Sequence, residues 1–430
     1  MHQTQRYATI LSLCFVVFMC HSSPEEAEEQ ASKKNGNVET GDTETLILST
    51  DDTGSDSDTE EDHVVWGRQI GTGSNDSLMS VTVDSEDNVW VAGETFGDMD
   101  GKNQGAADAV LIKYSPSGKL LATVQFGSEA ADTARRVAHD TDDNIIVVGE
   151  TAGTMGERHI GSKDVFVAKF DRHGERLWTI QYGTDAADTG DCLLIDKDNN
   201  ILVGGGTFGT LGEAALGNQD GFLSKLTPDG EILWHAQLGT EYQEYTQGIA
   251  ADSDGNIHVV AGYYQTALSV ISKYSPSGQA LSQKSLRGLY LMDMHITSDN
   301  EVFVSGCSGN QSKFVKLDAE LETVWQKAFV SGSWSGEKEI VAVGDGRLAT
   351  SGCMNWPDCY GFVRVYDFDG NLLASQKIRR SFEPSQSRTT CGAYLAADST
   401  GALYHVGGTE EDLFDDNRGK TDGFLAKISF

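Results

Sequence analysis

Proline is scarce in this sequence, 6 in 430 residues, and basic residues are outnumbered two to one, 32 Lys and Arg against 65 Asp and Glu. The formal net charge of −33 leaves no basic patch to release counterions from phosphates, which argues against nucleic acid as a partner. The same charge favours solubility and suits cationic ligands or divalent ions. Beyond the first twenty residues no apolar run approaches the about 18 residues that a membrane-spanning helix needs. Apolar residues do not recur at helical spacing, so a helical core is not expected. The chain has no GxSxG elbow, HExxH pair, Walker loop or CxxC, which removes the familiar signatures of several enzyme classes and of zinc or redox sites. Its 10 histidines are scattered, and single ones such as His139 and His258 read as packed or solvated strand residues.

What is present begins with an export signal. Arg6 precedes an apolar run from Ala8 to Met19 that is too short to cross a bilayer. Cys20 ends the run, a layout that resembles a bacterial lipoprotein signal in which that cysteine is lipidated. Phe18 and Met19 are bulkier than such a signal prefers, and ordinary cleavage near Ser22 or Ser23 is the alternative. Residues 1–20 are therefore expected to be a signal peptide and residues 21–63 an acidic linker. The linker holds 14 acids against Lys33 and Lys34 and has too few apolar residues to offset the entropy of ordering. It serves as a tether or a solubilising spacer. The expected location is the outer membrane or cell surface, or else the periplasm or medium, with the membrane reached only through a lipid anchor.

Residues 64–430 are built from a repeat. Glycine ends a short apolar run seven times, at Gly93, Gly149, Gly205, Gly262, Gly306, Gly352 and Gly407, in steps of 56, 56, 57, 44, 46 and 55. Each unit reads as four short strands: SVTVD, the turn SEDN, VWVAG, a loop, DAVLIKY, the turn SPSG, then KLLATVQFG. The last unit, 393–430, has three strands only, while VVWGRQIG at residues 64–71 is a fourth strand with nothing before it. Joining them completes a blade and closes a ring. The predicted fold is all-β: a seven-bladed β-propeller of four-stranded blades, the last closed by the N-terminal strand.

The motifs WGRQIG, VTVDSEDNVWVAGET and DAVLIKYSPSG, with their counterparts WTIQYG, LLIDKDNNILVGGGT and DGFLSKLTPDG, resemble the bacterial seven-bladed β-propeller repeat family abbreviated SBBP. The resemblance covers residues 64–430, strongly in four units and loosely in three. It implies the fold and an extracellular setting. It implies no activity, because function resides in a site and not in a fold.

The ring is uneven. Gly93 to Asp108, Gly149 to Asp164, Gly205 to Asp220 and Gly407 to Asp422 each span 15 residues, whereas units four to six have short connections. One face should thus have a raised arc and a lowered arc. The lowered arc carries Tyr263, Tyr264, Trp334, Trp356 and Tyr360, with Tyr242 and Tyr245 nearby. Exposed aromatics give rigid contact area for a glycan or protein; they also serve simply to fill space that long loops fill elsewhere.

Recurrent residues read as structural. Asp76, Asp132, Asp188 and Glu244, and Asp108, Asp164, Asp220 and Asp422, suit turn capping better than calcium ligation, and no cofactor is expected beyond a weak case for structural calcium. Lys113, Lys169, Lys225, Lys273, Lys316, Arg364 and Lys427 recur once per unit and point to a shared ion pair. Cys353 and Cys359 flank a short hairpin and form a candidate disulfide, with Cys391 an alternative partner and Cys192 the expected free thiol. No set of carboxylates or histidines that breaks the repeat is apparent. The leading expectation is a non-enzymatic binding propeller recognising a glycan or protein through the short-loop aromatics. The alternative is a propeller hydrolase or lyase with acids at the central channel.

Overall fold

Runs of β-branched and aromatic residues bounded by Asp, Asn and Gly turns fold into seven four-stranded antiparallel sheets. The computed structural model describes residues 63–430 apart from 213–214, 241, 264–267, 310, 331–334, 345, 355–359 and 380–389. Blade 1 comprises β2 (Asp76–Val83), β3 (Val89–Thr95), β4 (Asp108–Tyr114) and β5 (Leu120–Phe126), paired in that order from the ring centre outward. Blade 7 joins β26 (Thr390–Ala397), β27 (Leu403–Thr409) and β28 (Asp422–Ile428) to β1 (Val64–Ile70), so the two ends of the propeller share one sheet. Ser429 N donates to His63 O at 2.9 Å and continues that closure.

The remaining innermost strands are β6 (Asp132–His139), β10 (Asp188–Ile195), β14 (Tyr245–Ala251), β18 (Tyr290–Ile296) and β22 (Ser335–Ala342). Each lies against the next, and β26 returns to β2, so seven inner strands enclose a channel. The hydrophobic core lies between blades. Trp90, Leu111 and Phe126 of blade 1 pack with Val137, Phe166 and Phe170 of blade 2.

The marker glycines have a steric cause. Every inner strand carries a β-bulge where it faces the second strand of its blade. The bulge drives a carbonyl towards the partner strand. A Cβ on Gly93 would stand 1.9 Å from Ser77 O, one on Gly149 1.9 Å from Thr133 O, and one on Gly205 1.8 Å from Thr189 O. In blade 4 the register differs from the sequence reading: Ala261 faces Thr246 beside the bulge, and Gly262 is one residue further on.

The recurrent cations tie strand to turn and blade to blade. Lys169 Nζ lies 2.9 Å from Asp140 Oδ2 and donates to Pro228 O of the next blade at 3.2 Å. Lys113, Lys225 and Lys427 repeat this double contact. Lys273 and Lys316 pair with Asp252 and Glu301, but Arg364 departs and binds Glu337 of its own inner strand. Apart from Arg364, the partner is thus the acid of the first hairpin turn. That turn acid also caps its own turn: Asp84 Oδ1 accepts from the N–H groups of Glu86 and Asn88.

The two acid series that open strands are caps as well. Asp132 Oδ2 accepts from Ser128 N at 2.6 Å, and Asp188 Oδ2 from Thr184 N at 2.6 Å. Asp164 and Asp220 hold the long loops together with a glutamine from the outermost strand. Gln181 Oε1 accepts from the N–H groups of Met155 and Gly156, and its Nε2 donates to Gly153 O and Asp164 Oδ2. Gln69, Gln125 and Gln237 repeat the clamp in the other long-loop blades. Gln181→Ala is expected to accelerate hydrogen exchange at residues 153–161 while costing only about 1 kcal/mol globally, since this is a local network on a surface loop. Exchange mass spectrometry checks this, and unchanged exchange in the loop would refute the clamp.

Candidate functional site

The bulges re-aim one side chain per blade into the channel. The bulged residues are Met79, Arg135, Asp191, Gln247, Met292 and Lys338 in blades 1 to 6. These six line a cavity of about 490 Å³ at the channel mouth, on the face that carries the long loops. That volume falls in the range of small-ligand sites. The framework residues of each strand repeat from blade to blade, whereas the bulged position holds five residue types in six blades.

The mouth has two unlike parts. Blades 2 and 3 supply charge. Arg135 Nη2 donates to Glu150 Oε1 at 3.1 Å, and Lys163 Nζ donates to the same oxygen at 2.7 Å. Arg135 Nε stands 3.4 Å from Asp191 Oδ1, and Thr189 Oγ1 donates to Asp191 Oδ2 at 2.8 Å. Burial pushes the Glu150 carboxyl up, but Arg135 and Lys163 overcome it and hold the group below the ordinary glutamate range. Burial raises Asp191 despite Arg135. The rest of the lining is mainly aromatic, with Tyr245, Tyr290, Met292 and Tyr394 beside Lys338 of blade 6, and Phe208 of the third long loop also lines the cavity.

Deeper in the channel a second cavity of about 310 Å³ is lined by Arg136, Asp293 and Glu339. Arg136 Nη1 donates to Glu339 Oε2 at 3.0 Å, its Nε to Asp191 O at 2.9 Å, and its guanidinium covers the Tyr394 ring at 4.3 Å. Asp293 Oδ2 accepts from Ile340 N at 2.8 Å. Burial, reinforced by Glu339, raises Asp293 well above the ordinary range, and burial raises Glu339 against the pull of Arg136. Cys192 is a buried free thiol whose Sγ donates to Thr246 O at 3.3 Å, and burial pushes its pKa up, away from thiolate chemistry.

This cluster corrects the sequence reading, which found no repeat-breaking set of acids. Carboxylates do converge on the channel, from blades 2, 3, 5 and 6. The signal was the variation among Met79, Arg135, Asp191 and Gln247, which stand 56 residues apart in otherwise matching strands. It was hidden because a bulge position cannot be told from a strand position by alternation alone.

Of the aromatic arc, Tyr264, Trp334 and Trp356 lie outside the described residues. Tyr263 ends the second strand of blade 4. Tyr360 opens the third strand of blade 6, half-buried, with Arg379 5.5 Å from its ring centre. Tyr242 is exposed, whereas Tyr245 turns into the channel mouth. The short connections fall in blades 4 to 6 as the spacing predicted, since only residues 309–310 separate Ser308 from Gln311 in blade 5.

The disulfide is a further correction. Cys353 bonds Cys391, not Cys359, with Cα atoms 5.3 Å apart. Cys353 sits in the second strand of blade 6 and Cys391 in β26, and the blades pack closely enough there to bridge. Cys359 itself lies outside the described residues. Non-reducing peptide mapping is expected to recover a Cys353–Cys391 linked pair; a Cys353–Cys359 pair would contradict the pairing.

Residues 233–261 match the β-propeller repeat abbreviated SBBP. The curated relatives include the regulatory protein FlaEY of Caulobacter vibrioides, 19% identical over 392 residues, covering 83% of this chain and 39% of that protein. Another is an uncharacterized WD repeat-containing protein, L264, of Acanthamoeba polyphaga mimivirus, 25% identical over 264 residues, or 47% of this chain and 19% of that one. The chain therefore spans well under half the length of these relatives. Among solved structures, U3-55K matches with a TM-score of 0.55 at 12% identity, covering 86% of this chain and all of that one, 100%. Virginiamycin B lyase from Staphylococcus aureus matches at 0.52 and 10% identity, covering 84% and 98%. Likeness at these identities shows the propeller fold alone.

Proposed function

We propose that this chain, a seven-bladed propeller carrying the SBBP repeat, is an exported binding protein that receives its ligand at the long-loop mouth of the central channel. The observation that carries this is the cavity of about 490 Å³ whose lining residues break the repeat while the surrounding framework keeps it. A ring built only to hold itself together has no cause to place Met, Arg, Asp, Gln and Lys at one equivalent position. The apolar run before Cys20 and the acidic segment after it support a tethered, surface-facing setting. The partner is a glycan or a protein presented at the cell surface.

The test is a variant that fills the mouth. Gln247→Trp places a large ring at a half-buried bulge position with no change in charge. Binding to a glycan array or to envelope extract is expected to fall at least tenfold with an unchanged urea midpoint. Retained binding in Gln247→Trp, with loss in a Trp334→Ala, Trp356→Ala double variant, would move the site to the arc.

A second reading draws on the acids. Glu150 and Asp191 flank one arginine, and Asp293 and Glu339 lie beneath, an arrangement also suited to a hydrolase or lyase. Turnover of a bound ligand, abolished by Asp191→Asn without loss of binding, would establish it.

A further inference from the structure

Among the described residues, two buried polar atoms of opposite sense at the mouth, Glu150 Oε2 and Arg135 Nε, have no hydrogen-bond partner. Both belong to residues lining the cavity, and Glu150 is only 5% exposed. Glu150 uses its other oxygen for both Arg135 and Lys163, which leaves Oε2 as an acceptor. Arg135 uses Nη2 for Glu150, and its Nε lies in an ion pair 3.4 Å from Asp191 Oδ1 without forming a hydrogen bond there, which leaves that N–H as a donor. Unfilled buried groups of this kind are costly, and a ligand that fills both recovers that cost.

From this pair we infer that the mouth binds the hydroxyl-bearing ring of a saccharide. The inference rests on the channel-mouth reading above. A group that donates to Glu150 Oε2 and accepts from Arg135 Nε must do both at neighbouring positions, as vicinal hydroxyls do, because each hydroxyl is donor and acceptor at once. The remainder of the mouth supplies what the rest of a sugar ring needs. Tyr245, Tyr290 and Tyr394 line it with amphipathic rings, and Thr189 and Gln219 add polar groups to the lining.

A peptide amide also donates and accepts, but the mouth suits it poorly. Binding of an extended peptide relies on a regular strand edge for main-chain pairing. Here each inner strand is bulged at the level of the cavity, so that pairing is broken on every side. The mouth is also a cup at the centre of a ring and not a groove along an edge. It therefore takes the end of a chain.

The test uses the full exported protein on an array of oligosaccharides attached through their reducing ends, bearing terminal hexoses, deoxyhexoses, N-acetylhexosamines and uronates. A parallel array carries envelope proteins. The expected result is saccharide binding that weakens at least tenfold in both Glu150→Gln and Arg135→Lys, with urea midpoints recorded for each. Glu150→Gln turns an acceptor into a donor at nearly constant shape, and Arg135→Lys keeps the charge but deletes Nε. Should either variant fold poorly, Gln247→Trp, which lies outside the ion-pair network, supplies the comparison. Saccharide binding that survives all three variants, or binding to proteins alone when Gln247→Trp abolishes it, would overturn the saccharide assignment. The second of those outcomes would leave the channel-mouth reading standing. No binding on either array would overturn both.

Discussion

Gly149→Ala is expected to destabilise the propeller by more than about 3 kcal/mol or to prevent its folding. The new Cβ would stand 1.9 Å from Thr133 O, and that oxygen is backbone held in the bulge of β6, so no side chain can move aside. Overpacking a core usually costs about 1–3 kcal/mol because side chains shift to relieve it; here the relief has to come from breaking the ladder between two strands. Gly73→Ala is the matched control, since an added Cβ there meets nothing within 4 Å. Urea denaturation of the two variants against the parent checks the claim. Equal midpoints for Gly149→Ala and Gly73→Ala would show that the bulge is not rigid.

Arg136→Met is expected to cost about 3–5 kcal/mol near pH 8 and much less near pH 4. Arg136 is the cation that pairs with Glu339 in the channel, and removing one partner of a buried pair strands the other charge. The sign of the pH dependence follows from the raised carboxyls. Glu339 and Asp293 both hold protons in the folded state above their ordinary values of 4.5 and 3.8. Such groups favour the folded state fully below the unfolded range, and that contribution is lost as pH rises through their folded values. Deleting Arg136 raises them further, so the deficit opens upward from about pH 4. Urea midpoints at intervals from pH 4 to pH 8 measure it. A deficit that stays flat across that range would mean that the two acids are not desolvated as the channel geometry places them.

The two expected results bear on different layers of the molecule, and the sequence revealed them unequally. The ring was legible because its cause is local and repeated. VVWGRQIG matched the ends of complete units, so its pairing with the truncated last unit followed before any coordinates, and β1 does pair with β28. The marker glycines were legible as positions but not as mechanism, and in blade 4 the pattern misled by one residue, because Ala261 and Gly262 are both small. The channel was not legible. Arg135 and Asp191, and likewise Arg136 and Glu339, are far apart in sequence and meet only because each sits on a bulge or beside one in a closed ring. Cys391 ranked behind the nearer Cys359 for a related reason: the second strand of blade 6 approaches the inner strand of blade 7 closely, which spacing along the chain does not reveal. The glutamine clamps at Gln69, Gln125, Gln181 and Gln237 were there to be read, 56 residues apart, but their role depends on a loop folding back over the strand that carries them.

The claim that function resides at the channel mouth is tested most directly by a hydrogen-exchange footprint. The protein is exchanged alone and saturated with whichever partner the arrays identify. The account predicts protection at residues 133–136, 189–192, 245–248 and 290–293, the segments that carry the cavity lining, with little change on the outer strands. Protection confined to 264–267, 331–334 and 355–359, with the channel segments unchanged, would place recognition on the short-loop arc and contradict it.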